Sequence, residues 1–166
     1  MDRIRVSDSK DIQRVTLIYG YDREIAQWVA NELEAPDAFH DPIGGHFAGR
    51  SIGVLYDGVL IAGVVYSHYR PPSIEMSIAS KSPLWANRRT LRAFFDYPFN
   101  ELGCKRVTAL VDSHNHAVRR FDERLGFRHE GTLRQGHPSG DAEIYGMLKH
   151  ECRWIRKNCH GQKKQT

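Results

Sequence analysis

Cysteine is scarce in this chain of 166 residues: Cys104, Cys152 and Cys159 are its only thiols, and their spacing builds neither a paired framework nor a metal-ligand set. A disulfide-stapled scaffold is therefore excluded, and the three read as reduced thiols. Long apolar runs are missing too. The longest, residues 59–66, is far short of the roughly 20 residues that span a bilayer. Residues 1–10 are too polar for a signal peptide. These absences predict a soluble, cytoplasmic protein that needs no membrane. No Ser-His-Asp arrangement can be inferred, and no His, Cys or Asp spacing points to a metal.

Net charge is modest, +4, but the positive residues cluster: Arg88, Arg89 and Arg92; Arg119, Arg120 and Arg124; then residues 153–164. Such clusters attract nucleic acid, and they suit an anionic cofactor equally well. The length fits one domain, predicted over residues 1–155, followed by a basic tail over 156–166 without apolar periodicity.

Residues 22–33 read as a helix with Ile25, Trp28, Val29 and Leu33 on one face. Residues 34–50 carry Pro36, Pro42, Gly44, Gly45 and Gly49 and read as a long loop, a candidate lid or a plain connector. Two strands, 51–56 and 59–66, meet at Asp57-Gly58, a dipeptide suited to a tight hairpin. A further strand, Ser73–Ser80, alternates Ile74, Met76 and Ile78 with Glu75, Ser77 and Ala79. A helix over 83–99 then leads to the strand Arg106–Asp112. Strand, helix, strand without a hairpin implies a right-handed crossover between two parallel strands. Ligands in open α/β sheets bind beyond the carboxyl ends of such strands.

The most informative stretch follows: NHAVRRFDERLGF, residues 115–127. Asn115 can cap a helix whose stripe is Ala117, Val118, Phe121 and Leu125, Gly126 can end it in the left-handed region, and Phe127 can fold back on the cap.

The run from RVTALVD through this helix to DAEIYGMLKHECRW resembles the second half of GNAT-type N-acetyltransferases, in which an Asn opens a helix that ends in Leu-Gly-Phe. Glu130-Gly131, Arg134 and Tyr145-Gly146-Met147 resemble the branch that includes ribosomal-protein N-acetyltransferases. Similar short proteins occur in bacteriophage and prophage genomes. The resemblance spans residues 50–154. It implies an α/β, GNAT-like fold: a mixed, mostly antiparallel sheet with a central splayed parallel strand pair flanked by helices. It also implies acetyl-CoA as cosubstrate, its pantetheine arm between the splayed strands near Met76, Ile78 and Ala79, with Asn115 and Phe121 beside it. Homodimers are frequent in the family.

The pyrophosphate, by the same resemblance, rests on the amides that open the helix after Lys81, where a helix N-terminus favours an anion. Here the chain departs from the family pattern of Arg or Gln, two residues, Gly, one residue, then Gly or Ala. Alignment back from Phe99 puts Ser82 first, Trp85 in the first glycine place and Asn87, after Ala86, in the second. Trp resists a left-handed backbone and Pro83 has no amide hydrogen, so the cradle is weakened or rebuilt. Ser82 can cap the helix with Pro83 in its first position, while Lys81, Arg88 and Arg89 can replace lost donors with charge-assisted bonds.

A lysine-like amine with pKa about 10.4 is uncharged only about once in a few thousand molecules at pH 7, so its acetylation needs a base or a water chain. Glu75 is the leading candidate, sharing a strand face with Ser77. An ordinary carboxylate is a poor direct base for such an amine, which favours transfer through water. His68, His114 and His116 also lie near the expected cleft. Many family members place a tyrosine seven residues after the helix-opening Asn to protonate the departing thiolate. This chain has Asp122 there. An ionised Asp cannot donate, which passes that task to Ser77, Tyr145 or water.

The reading is an acyl-CoA-dependent N-acetyltransferase acting on an amine-bearing acceptor, protein or small molecule, by direct attack in a ternary complex. A catalytically silent CoA-binding module that works through protein partners is the second reading. A basic nucleic-acid-binding protein is the third.

Overall fold

The structure, a computed structural model, describes residues 14–40, 47 and 49–156. Residues 1–13, residues 41–46 and 48 of the predicted loop, and residues 157–166 of the predicted tail with Cys159 lie outside the described residues. One mixed sheet holds β1 (Val15–Ile18), β2 (Arg50–Tyr56), β3 (Val59–Arg70), β4 (Ser73–Ser80), β5 (Arg106–Asp112), β6 (Arg128–His137) and β7 (Gly140–Leu148). Its spatial order is β1-β2-β3-β4-β5-β7-β6. Every neighbouring pair is antiparallel except β4 with β5. The Asp57-Gly58 turn joins β2 to β3 with both φ angles positive, 47° and 79°, as a tight hairpin requires.

Three helices cover the sheet: α1 (Asp22–Glu32), α2 (Arg88–Asp96) and α3 (His116–Leu125). Ile25 and Val29 of α1 are fully buried against one face, beside Val65 of β3 and Ala79 of β4. The opposite face packs Val64, Met76, Val107 and Met147 against Phe94 and Phe95 of α2 and Leu125 of α3. Both crossovers, β4–α2–β5 and β5–α3–β6, advance across the sheet in the same direction, so right-handed connections put α2 and α3 on one face.

The helix predicted over 83–99 is three pieces. Pro83–Trp85 forms a single tight turn capped by Ser82, whose Oγ accepts from Leu84 N at 3.3 Å. Asn87, extended at φ −94°, then restarts the chain as the N-cap of α2, its Oδ1 accepting from Thr90 N at 3.0 Å. Two capping side chains five residues apart make two helix starts. At the far end Pro98 has no N–H to give Phe94 O, so the turn Tyr97–Glu101 widens to bonds five residues apart, with Leu102 N donating to Tyr97 O at 3.0 Å. The buried Tyr66 hydroxyl donates to Phe94 O at 2.7 Å instead.

α3 starts and stops as its sequence predicts. Asn115 Oδ1 accepts from Val118 N at 3.1 Å. Gly126 sits at φ 112°, and Phe127 N donates to Asp122 O at 3.0 Å across that left-handed residue. The predicted stripe is corrected, however: Ala117 and Val118 are exposed, while Asp122 and Leu125 are the buried residues. The helix is rolled so that residues 122 and 125 face inward, with Phe121 half-buried at their side.

Candidate active site

β4 and β5 are paired over three rungs only: Ser73 with Arg106, Ile74 with Val107 and Glu75 with Thr108. Beyond them β4 stays bonded to β3 as far as Ser80 and β5 to β7 as far as Asp112, but not to each other. The two strands part into a wedge with its apex at Glu75 and Thr108. Strand backbone groups point alternately to either neighbour, so the stretch 76–80 presents unladdered N–H and C=O groups along one lip.

On that lip Met76 and Ala79 are buried, on opposite faces, while Ser77 and Ile78 are half-buried. Glu75 points to the face that carries α1, and there His68 Nδ1 meets Glu75 Oε2 at 3.0 Å. His68 sits where β3 is irregular between Ser67 and Arg70, with φ 49°. This irregularity breaks the alternation of β3 and lets His68 reach the carboxylate. Sequence reading placed both residues near the cleft but could not pair them, because the pairing depends on a two-residue bulge in the register.

The phosphate side of the wedge differs from what the sequence suggested. Lys81 is committed elsewhere: its Nζ pairs with Glu32 Oε1 of α1 at 2.8 Å and lies 5.7 Å from the Trp28 ring centroid. The electrostatic pull of the α1 carboxylate and the ring face turns it away from α2. Neither Trp85 nor Asn87 adopts a left-handed backbone. Trp85 is buried, stacked on Phe94 at 5.5 Å and tilted against Phe121 of α3 at 5.7 Å. The glycine loop is thus rebuilt as a tight turn that spends its aromatic residue on packing. Ala86, Arg88 and Arg89 are exposed around the start of α2, where Thr90 Oγ1 is buried without a hydrogen-bond partner among the described residues.

Tyr145, on β7, is fully buried. Its hydroxyl accepts from Arg119 Nε at 3.2 Å and donates to Glu123 Oε1 at 3.3 Å, so it is a tie between β7 and α3 and not a free donor at the opening. Arg119 also donates to Ser113 O at 3.3 Å, which fastens the loop ahead of Asn115. His114 bonds Asp112 through its backbone at 3.0 Å, and its ring stands 3.2 Å from the same carboxylate. Arg119 stood out in the sequence only as one of a basic cluster, and Glu123 carried no signal of its own. Asp122 did: it interrupts an apolar line, and burial pushes its carboxyl up to about 7, with Glu123 adding to the rise.

A parallel pair that parts after three rungs, with helix starts at Asn87 and Asn115 after its two strands, belongs to a fold shared with solved acetyltransferases, one of them described as of the GNAT family. In sequence the chain is similar to YdaF of Bacillus subtilis, provisionally named a ribosomal N-acetyltransferase, at 29% identity over 89% of this chain and 91% of that protein. In structure it is similar to a variant of spermidine N-acetyltransferase SpeG from Vibrio cholerae, with TM-score 0.61, 19% identity, and 82% and 94% of the two chains covered. A GNAT-family acetyltransferase from Bacillus anthracis gives TM-score 0.56 and 17% identity, with 84% and 97% covered. No family model matches the chain. The fold is thus shared with solved acetyltransferases, and the sequence is similar to that of one protein provisionally named a ribosomal N-acetyltransferase. Among the described residues no helix is long and apolar enough to cross a membrane.

Proposed function

We propose that this chain moves an acetyl group from acetyl-CoA to a primary amine by direct attack within a ternary complex. The observation that carries the reading is the separation of β4 from β5 beyond Glu75 and Thr108. The backbone of Met76, Ile78 and Ala79 would hold the pantetheine arm along the β4 lip, where main-chain groups have no ladder partner. Asn115 and Phe121 flank the opposite lip. The start of α2, with its helix-end field, Asn87, Arg88 and Arg89, would hold the pyrophosphate, and Ala86 and Trp85 would border it.

Acetyl-CoA supplies the activated acyl group; the chain supplies orientation and proton transfer. Glu75 accepts the Nδ1 proton of His68, which leaves Nε2 as the acceptor nitrogen of the pair. That nitrogen, directly or through water, takes the proton from the incoming ammonium, so Glu75 acts by orienting a better base. Ser77, on the same face of β4, would contact the acceptor amine. The amine acceptor, protein or small molecule, then approaches from the α1 side.

The test is release of free CoA thiol from acetyl-CoA by the full chain across a panel of amines: peptides with free N-termini, lysine peptides and polyamines. Amine-dependent release supports the reading. Acetyl-CoA binding by calorimetry without release for any amine would leave a silent CoA-binding module, and no binding at all would overturn both.

A further inference from the structure

We propose that the acceptor amine carries an apolar group, and that this group lies on an uncovered shelf made by Leu110 of β5 and Ile144 of β7. The inference rests on the acetyl-transfer reading above and names the class of acceptor for that same site.

The first observation is a gap in the cover of the sheet. On one face α1 seals β2, β3 and β4, where Ile25 and Val29 pack with Leu55, Val65 and Ala79. On the other face lie α2 and α3. The half of the sheet built from β5, β7 and β6 therefore has no helix over it on the α1 side. There Leu110 is 42% exposed, although it stands within an interior strand. Its partner in the register, Ile144, is half-buried, and Gly131 follows opposite Ile144 on β6. A side chain built at Gly131 would meet no atom within 4 Å of its Cβ, so the floor stays open there as well. A lone exposed leucine needs no explanation. This one continues into a second apolar residue and a bare glycine.

The second observation is where the shelf begins. Glu75 and Thr108 form the last rung between β4 and β5, so their side chains share the α1 face. Residues two apart on a strand point the same way, which puts Leu110 on that face too. No bulge interrupts the β5–β7 register between Arg106 and Asp112 to break the alternation. Leu110 stands two residues past the apex of the wedge, roughly 7 Å at about 3.3 Å per strand residue. His68 and Glu75 at one lip and Leu110 at the other thus open on the same side. An amine delivered to His68 Nε2 brings its substituent within reach of Leu110.

The third observation decides the chemistry. A polycationic acceptor needs a carboxylate for each further ammonium. Every carboxylate carried by β4, β5, β6 and β7 is bonded within the fold: Glu75 to His68, Asp112 to His114, Glu130 to Arg106, Asp141 to the Gln135 N–H, and Glu143 to His129 and Thr132. A second ammonium beside Leu110 would lose water and gain no free partner. An alkyl or aromatic group gains by leaving water at the same place.

The experiment measures release of free CoA thiol from acetyl-CoA by the full chain with n-propylamine, n-hexylamine, phenethylamine and hexamethylenediamine. Wild type is compared with Leu110→Ser, Leu110→Glu and a control, Val59→Ser, at an exposed apolar position of the β2–β3 turn, each checked for folding by thermal melting. The shelf predicts that kcat/KM rises roughly 10-fold from n-propylamine to n-hexylamine, with phenethylamine close to n-hexylamine and the diamine below it by a similar factor. Leu110→Ser should lose roughly 10-fold with the two larger apolar amines and stay within about twofold of wild type with n-propylamine. Val59→Ser should match wild type throughout. Leu110→Glu should reverse the order of n-hexylamine and the diamine, a gain that a misfolded variant cannot produce. Two peptides, one opening with Leu and one with Gly, form a second arm: a Leu preference that Leu110→Ser abolishes supports the shelf with a polypeptide as the source of the apolar group, and dependence on Leu110 among the alkylamines alone supports it with a small amine. A wild type that uses the diamine as well as n-hexylamine, or a Leu110→Ser variant with equal losses for short and long amines, would overturn the shelf while leaving acetyl transfer intact. A wild type that releases no CoA with any amine would overturn acetyl transfer, and the shelf with it.

Discussion

Trp85 and Phe121, one from the turn after β4 and one from α3, hold their ring centroids 5.7 Å apart across the opening between the parted strands. The contact joins the two lips of the wedge on the face that carries α2 and α3. It also explains how a large aromatic ring occupies a place where the family pattern has glycine: the ring is core, with 3% of its surface exposed.

Restoring glycine at that place is expected to cost stability and not to repair a phosphate loop. Trp85→Gly removes a ring that packs on Phe94 and Phe121, for a loss of about 3–5 kcal/mol by urea unfolding. Affinity for acetyl-CoA, measured by calorimetry below the melting range, should stay level or fall. A variant that binds more tightly at unchanged stability would show that Trp85 merely obstructs.

The His68–Glu75 pair predicts a non-additive kinetic pattern. His68→Ala and Glu75→Gln should each lower kcat for a lysine-like amine by about 10- to 100-fold. On the proposed reading, in which Glu75 works through His68, the double variant should be no slower than His68→Ala alone. Losses that multiply would mean that the two groups act separately.

Gly146 is legible only once the sheet is assembled. A Cβ there would lie 2.6 Å from Glu130 Cδ and 2.7 Å from Arg106 Nη2. The Arg106–Glu130 ion pair passes directly over this glycine, from β5 to β6, across β7. Gly146→Ala must push the pair aside, and a loss of about 1–3 kcal/mol is expected in thermal or urea unfolding. Adding Glu130→Ala to the variant should recover part of that loss, since the obstructing carboxylate is then gone.

These cases show what the sequence could and could not carry. Strand bounds for β4 and β5 and both ends of α3 were readable because alternation, an Asn cap and a Leu-Gly-Phe stop are local signals. The break between Trp85 and Arg88 was not, since Ser82 and Asn87 each cap acceptably and only the packing of Trp85 on Phe94 selects both. Lys81 was misplaced for a related reason: its partner, Glu32, comes from a helix 49 positions earlier in the chain. The inward roll of α3 had a visible cue in Asp122 amid an apolar line, but periodicity alone treats such a residue as an interruption and not as the centre of the face.

Asp122 also predicts a pH-dependent difference in stability that needs no substrate. Its carboxyl has an ordinary value of 3.8 and is raised to about 7 in the folded chain. The folded state therefore binds the proton more tightly than the unfolded state does. The stabilisation is complete below about pH 4 and is lost as pH rises through about 7. At roughly 1.4 kcal/mol for each tenfold change in proton affinity, the whole effect is at most about 4 kcal/mol. Asp112, Glu130 and Glu143 have carboxyls lowered by hydrogen bonds and shift stability in the opposite sense, so the bare pH profile mixes signs. Comparing wild type with Asp122→Leu cancels their shared contribution. The Leu variant should gain on wild type steadily between pH 5 and pH 8 in urea midpoint, and the gain should level off above pH 8. A difference that is flat across this range would mean that Asp122 is not held neutral by burial.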